Sequence, residues 1–228
     1  MNTRFSPSLN GSLHLGHLYM AWLNRSFAHM HGGRFLLRFD DLAPRIAGDP
    51  IDQMEEWARE AEDLLRQAGL APDAVTYVSA YSISDREIPL HVGGKNRWLR
   101  PANFEGHLNL LCSPALVAAR VRADIAEEIG AVIRGEELLQ ELQLYEYFNA
   151  LFGGDTRELI YVPRLRVRSG GEVTTISKTV GNLQLRDLFR QAPPEAWLER
   201  VRRTVLQVPD LPFSWDNLSR DPVIDIDL

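Results

Sequence analysis

The chain has 228 residues, 45% hydrophobic and 25% charged, and without a run near the ~20 apolar residues of a membrane span it suits one large domain or a domain with a small appendage. Its single cysteine, Cys112, excludes an internal disulfide and a cysteine-rich zinc site. A formal net charge of −6 argues against broad nucleic-acid binding, though a local basic face remains open, and with no secretory leader pattern a cytoplasmic location is expected. In chain order, residues 3–5 read as a short strand and residues 17–30 as a helix with Leu18, Ala21, Trp22 and Phe27 as apolar positions. His31, Gly32 and Gly33 close that helix, and residues 34–39 read as a second strand. Asp49 and Pro50 open the next helix as N-cap and first helical residue, and Gly69 is placed to stop it. Residues 79–111 read as irregular, broken by Pro89, Gly93, Gly94, Pro101 and Gly106. Residues 131–133 predict a buried strand, 136–152 a helix and 159–162 another strand, with a turn at Ser169, Gly170 and Gly171. A last helix is expected from near Pro194 to Val205, followed by a loosely ordered tail rich in proline and aspartate. Alternating strand and helix of this kind predict an α/β fold with a parallel sheet.

The opening residues place a strand, a sharp turn and a helix start bearing His14 and His17, which share a helix face at a spacing of three. A helix N-terminus offers unpaired N–H groups and partial positive charge, which suit a polyphosphate. The run Arg4-Phe5-Ser6-Pro7-Ser8, then Gly11, then His14-Leu15-Gly16-His17 resembles the first signature of class I aminoacyl-tRNA synthetases, in particular their glutamyl/glutaminyl branch. Residues 33–45 (GRFLLRFDDLAPR) resemble the strand and loop of the same branch, whose acidic residue holds the substrate's amino group. Asp40 takes that place, as in the glutaminyl type, whereas the ending Leu42, Pro44, Arg45 looks more like the glutamyl-queuosine type. A carboxylate at the C-terminal end of a parallel strand lies where such sheets bind ligands.

Residues 131–139 (AVIRGEELL) look like the family's strand, arginine, glycine and acidic helix opening, which contacts substrate and adenosine. A guanidinium at Arg134 can clamp a carboxylate with two parallel hydrogen bonds, Gly135 lets a nucleoside approach closely, and Glu136 sits where a helix dipole tolerates an acid. The run Thr175-Ile176-Ser177-Lys178-Thr179 resembles the second class I signature, a loop with two lysines. Thr175 replaces the first and Lys178 keeps the second. Only two of the 25 basic residues, Lys95 and Lys178, are lysines, so Lys178 stands out against an arginine-rich background.

The resemblance implies a Rossmann-like nucleotide-binding fold with a short connective insertion and a small helical C-terminal extension. Its expected divisions are 1–78 and 112–180 for the two halves, 79–111 for the insertion, and 181–228 for the extension and tail. It implies ATP-dependent activation of an amino acid, glutamate or a close analogue, as the aminoacyl-adenylate. His14, His17 and Lys178 are the expected catalytic residues. Pro7, Gly16, Gly135, Glu136, Leu138 and Ser177 would bind ATP, and Arg4, Ser6, Ser8, Asp40, Leu116 and Arg134 the amino acid. Mg²⁺ would bridge phosphate oxygens; neither zinc nor a metal site built by the protein is expected. Leu116, or a residue within one position of it, stands where the family has a tyrosine that contacts the amino acid, which removes a hydroxyl from the pocket and leaves the side-chain specificity open. Tyr145 or Tyr81 could replace it from elsewhere. The acceptor-stem insertion is short and no anticodon-reading domain is expected, so the acceptor is either tRNA or a small amine, thiol or carrier protein. Arg97, Arg100, Arg164, Arg166, Arg168, Arg200, Arg202 and Arg203 form either a phosphate-binding face or a salt-bridged surface. Two alternatives stand beside activation. One is a nucleotidyltransferase of the wider H-x-G-H group, against which an ammonium ligand at Asp40 argues; the other is a catalytically silent binding paralogue.

Overall fold

A computed structural model describes residues 1–47, 49–82, 114–176, 183–210 and 213–226. β1 (Thr3–Phe5) is followed by α1 (Leu15–Met30), β2 (Phe35–Phe39), the short α2 (Leu42–Ala47), α3 (Ile51–Gln67) and β3 (Ala74–Tyr77). Next come α4 (Pro114–Ala126), β4 (Ala131–Gly135), α5 (Leu142–Leu151) and β5 (Glu158–Val162). β6 (Arg166–Ser169) and β7 (Glu172–Thr175) precede α6 (Leu185–Gln191), α7 (Pro194–Val205) and β8 (Val223–Asp225).

β1 pairs in parallel with β2, β2 with β3, and β4 with β5. Asn2 joins the two sets: it bridges Ile129 in parallel, and its carbonyl accepts from the N–H groups of Gly130 at 3.0 Å and Ala131 at 3.2 Å. The spatial order is therefore β3-β2-β1-β4-β5, and the winding reverses between β1 and β4. In such sheets the crevice beyond the carboxyl ends of those two strands is the ligand-binding place.

Strand residues alternate between two apolar cores, as a period of two requires. Phe35, Leu37, Phe39, Ala131 and Ile133 pack in one core with α1 and α3. Leu36 and Val132 face a second core built largely by α4 and α5. The same alternation turns Arg4, Arg38 and Arg134 to the α4–α5 side, where their partners lie. α3 buries Met54, Ala58, Ala61, Leu64 and Leu65, a stripe at helical spacing. Gly69 ends it in the left-handed region at φ 71°, with Gly69 N–H on the Arg66 carbonyl and Leu70 N–H on the Leu65 carbonyl. That pair of bonds satisfies two terminal carbonyls and needs a residue without a Cβ at the turn.

Three expectations from the sequence are corrected. Pro50 is the extended N-cap of α3, not its first helical residue, and Asp49 lies one position outside, its N–H donated to Pro44. The helix read over 136–152 is a 3₁₀ segment, Glu136–Glu141, followed by α5. At the end of the 3₁₀ segment, Glu141 is buried and pairs with two arginines. The tail is ordered where it is described: β8 pairs in parallel with β6, and Ile224 and Ile226 are buried. Before it, Phe213 and Trp215 pack on Trp22 and Phe27 of α1, so aromatic burial holds what proline content suggested would be loose. The turn at Gly170 and Gly171 closes the β6–β7 hairpin, whose strands, like β3 and α4, were not read from the sequence. Most of the segment expected to be irregular, residues 83–111, lies outside the described residues, as do Cys112, Lys95, Arg97 and Arg100.

Candidate active site

A cleft of about 200 Å³ opens at the carboxyl ends of β1, β2 and β4. Arg4 to Ser8 form one wall, Asp40 and Arg120 another, Ile133 to Gly135 with Glu137 and Leu138 a third, and His17 and Met20 approach from α1. The loop after β1 is stitched to the end of β2. Asp40 N–H donates to the Pro7 carbonyl at 2.9 Å, and Leu9 N–H to the Asp40 carbonyl at 3.3 Å. The backbone therefore fixes Ser8 beside Asp40 before any side chain contributes.

α1 starts with a cap made of two histidines. His14 is the N-cap, its Nδ1 accepting from Gly16 N–H at 3.1 Å, while His17 Nδ1 accepts from His14 N–H at 3.1 Å. The rings stack at 3.8 Å between centroids. With both Nδ1 lone pairs engaged, a proton on either ring sits at Nε2. A Cβ on Gly16 would lie only 3.0 Å from the His14 ring, so the small residue between the histidines lets that ring fold back onto the helix start.

Beneath the cleft lies a buried ionic network. Asp124 on α4, fully buried, accepts from Arg4 Nε at 3.1 Å and Arg4 Nη2 at 3.4 Å, from Arg38, and from the Tyr145 hydroxyl at 2.7 Å. Arg38 also faces Glu127 at 3.5 Å. Burial alone would push the Asp124 carboxyl up, but Arg38 and Arg4 outweigh it and hold it well below the usual carboxylate range. Burial likewise works against the charge on Arg4, and Asp124 more than offsets it. Burial first, and Asp124 next, push the Tyr145 hydroxyl far above its ordinary value, so it remains a donor. A second set of ion pairs borders the first: Arg120 pairs with Asp40 and, at 3.3 Å, with Glu141, which also faces Arg134 at 3.4 Å. The Arg134 guanidinium lies 5.1 Å from the Tyr145 ring centroid, and burial, then Arg4, pull it below its ordinary value.

Of the residues singled out from the sequence, Arg4, Ser6, Pro7, Ser8, His17, Asp40, Arg134, Gly135 and Leu138 line this cleft. His14 stacks on His17 without lining it, and Gly16 follows on the same helix start. Glu136 opens the 3₁₀ segment outside the lining. Leu116 is buried in the second core and is not among the cleft's lining residues, and Tyr145 donates to Asp124. Thr175 ends β7 and Ile176 is buried; Ser177 and Lys178 lie outside the described residues. Beyond that segment the chain returns beside the histidines, with Gln184 bridging His14 and Leu185 N–H donating to the Leu13 carbonyl at 2.8 Å.

Arg38, Arg120, Asp124, Glu127 and Glu141 were not singled out from the sequence. A signal for three of them exists. Arg120, Asp124 and Glu127 recur at i, i+4 and i+7 in a segment otherwise rich in alanine and valine, which puts charges on one helix face.

Residues 1–86 match the family model described as tRNA synthetases class I (E and Q), catalytic domain. Glutamate–tRNA ligase from Pyrococcus horikoshii is 40% identical over 78 residues, which is 34% of this chain and 13% of that protein. The cytoplasmic glutamate–tRNA ligase of Saccharomyces cerevisiae is 37% identical over 79 residues, 35% of this chain and 10% of that protein. The chain thus matches only about a tenth of the length of these curated relatives. The crystal structure of glutamate-tRNA synthetase from Elizabethkingia anophelis superposes with a TM-score of 0.69 over 99% of this chain and 68% of that one, at 15% identity. Residues 1–86 thus resemble the class I (E and Q) tRNA synthetase catalytic domain, and the whole chain shares the fold of glutamate-tRNA synthetase.

Proposed function

We propose that this protein is a ligase that activates glutamate, or a close analogue, as its adenylate and passes it to an acceptor. The observation that carries the reading is the cleft itself. It brings Arg4, Ser8, His17, Asp40 and Arg134, far apart in sequence, to the switch point of a parallel sheet. Asp40 is only 3% exposed, and its Oδ1 has no hydrogen-bond partner among the described residues. A buried carboxylate oxygen left unpaired is costly, and a substrate ammonium would satisfy it.

In this reading a substrate carboxylate oxygen attacks the α-phosphorus of ATP, and the bond to pyrophosphate breaks with its electrons leaving on pyrophosphate. No general base is needed, because the carboxylate is already deprotonated near neutral pH. Catalysis is then positioning and charge stabilisation. His14 and His17 serve the triphosphate, with Pro7, Gly16, Gly135, Glu136, Leu138 and Ser177 around the nucleotide, and Mg²⁺ arrives with the triphosphate as part of the substrate. Lys178 meets the departing pyrophosphate, a role supported by the return of the chain to Leu13 and His14 just beyond it. Arg4 and Arg134 face the substrate's carboxylates, Ser6 and Ser8 lend polar contacts, and Asp40 takes the ammonium. The acceptor nucleophile then attacks the activated carbonyl and releases AMP.

The named relatives are tRNA ligases, and tRNA is the first acceptor to test. A second reading, a small amine, thiol or carrier protein, is favoured by the arginine face. Arg164 pairs with Glu137, Arg166 with Asp221, Arg168 with Asp225, and Arg202 and Arg203 with Glu199, while Arg200 donates to the Asp225 carbonyl. Those acids compete with phosphate. No helix among the described residues is long and apolar enough to cross a membrane.

The test is ATP–pyrophosphate exchange with and without glutamate, followed by transfer of labelled glutamate to bulk tRNA or to protein. Glutamate-dependent exchange is expected. Exchange without any amino acid would instead favour a nucleotidyltransferase, and its absence throughout a silent binding protein.

A further inference from the structure

Asp40 is gripped from one side only. Arg120 Nε donates to Asp40 Oδ2 at 3.1 Å, and Arg120 Nη2 donates to the same oxygen. Oδ1 is left buried without a partner among the described residues, on the wall of the cleft. Arg120 also donates from Nη1 to Glu141 Oε2 at 3.3 Å, and Arg134 Nη1 donates to that same oxygen at 3.4 Å. Asp40, Arg120, Glu141 and Arg134 thus form a row of alternating charge, and both ends of the row line the cleft. Asp40 and Arg134 are the two groups that the proposed function assigns to opposite ends of an amino acid.

We infer that Arg120 is the positioning residue for recognition of the substrate's ammonium group. Two donors on one oxygen stop the Asp40 carboxylate from rotating, and the backbone bonds to Pro7 and Leu9 hold its Cα in place. The carboxylate therefore presents Oδ1, and only Oδ1, to the ligand. A fixed planar fork does this better than a flexible ammonium would. Arg120 also neutralises part of the Asp40 charge, so the site rewards a ligand that donates a hydrogen bond to Oδ1 over one that is merely cationic. Through Glu141 the same guanidinium sets the angle of Arg134. The two ends of the substrate are gripped by one connected unit, carried on α4 at the position four residues after Leu116.

This inference rests on the amino-acid-activating reading, and the test separates the two. Exchange kinetics are compared for the wild type, Arg120→Gln, Arg120→Lys and Glu141→Gln. Arg120→Gln is expected to raise KM for the amino acid roughly ten- to a hundredfold, the range for losing a charged hydrogen-bond partner. KM for ATP should stay within about threefold, since the groups Arg120 holds, Asp40 and through Glu141 also Arg134, are those assigned to the amino acid. Arg120→Lys should recover part of the loss, and Glu141→Gln should raise the amino-acid KM less than Arg120→Gln does. An unchanged amino-acid KM in Arg120→Gln, or an equal rise in KM for ATP, overturns the inference. A readout free of activity accompanies it: the Arg120 Nε–H resonance in ¹⁵N NMR of the wild type should be slow to exchange with water and should lose that protection in Asp40→Asn. A protected resonance without exchange for any amino acid sinks the activating reading and upholds the pairing. An unprotected one sinks the pairing whatever the kinetics show.

Discussion

Arg4 and Arg38 on the central strands, and Arg166 and Arg168 on β6, all pair with carboxylates, yet they belong to opposite physical regimes. Side chains of the first pair are at most 8% exposed and converge on one fully buried Asp124. The second pair sit 37% and 50% exposed, each with its own half-solvated acid. In the interior, an ion pair must offset a desolvation cost of several kcal/mol per charge, so its geometry is held tightly and loss of one member strands the other. At the surface, water and salt screen the pair and it contributes about 0–1 kcal/mol. One residue type builds the rigid floor of a cleft in the first place and a soluble, adaptable face in the second.

The sharpest way to break this contrast is Asp124→Ala. It removes the carboxylate that Arg4 and Arg38 share, leaving Arg38 only the longer contact to Glu127, and is expected to cost about 3–5 kcal/mol in urea unfolding at pH 7; a loss under about 1 kcal/mol would put the network in the surface class. The pH dependence sharpens it further. Because Asp124 is depressed in the folded state, its contribution is complete above the unfolded carboxylate value near ~3.9. It fades as pH falls from there through the folded value, so the stability gap between wild type and Asp124→Asn should be flat from about pH 5 to 8 and narrow below about pH 4. Lys178→Ala comes next, with adenylate formation expected to fall roughly ten- to a thousandfold at unchanged melting temperature. Asp40→Asn should weaken amino-acid use by roughly ten- to a hundredfold while ATP binding, read by calorimetry, stays nearly intact; equal damage to both would make Asp40 a structural acid. The smallest effect belongs to the surface. Arg168→Ala should change stability by less than about 1 kcal/mol, and if β6 and α7 do meet tRNA it should flatten the salt dependence of binding by about one unit of slope.

Much of the central fold was legible because its signals are local. The apolar spacing of α1, the glycine stop of α3, and the buried run of β4 each announce an element within a few residues. His14 and His17, Asp40 and Arg134 were legible by the company they keep in sequence. Arg120, Asp124 and Glu127 show in sequence only as charges on one helix face, and Glu141 not at all; the partners that give all four their importance lie 7 to 120 residues away. The expectation of a loose tail failed for the same reason. Proline and aspartate content describes the backbone of residues 213–226, but Ile224 and Ile226 are held by a strand half a hundred residues earlier. Leu116 shows the opposite limit: resemblance put it in the amino-acid pocket, and the structure sets its side chain in the second core, outside the cleft's lining.

The most direct test of the central claim is ATP–pyrophosphate exchange across the twenty amino acids, each with and without bulk tRNA. The account predicts exchange with glutamate above all others, or with glutamate only when tRNA is present, and no exchange without an amino acid. Exchange that ignores the amino acid, or none in any of these conditions, would contradict it.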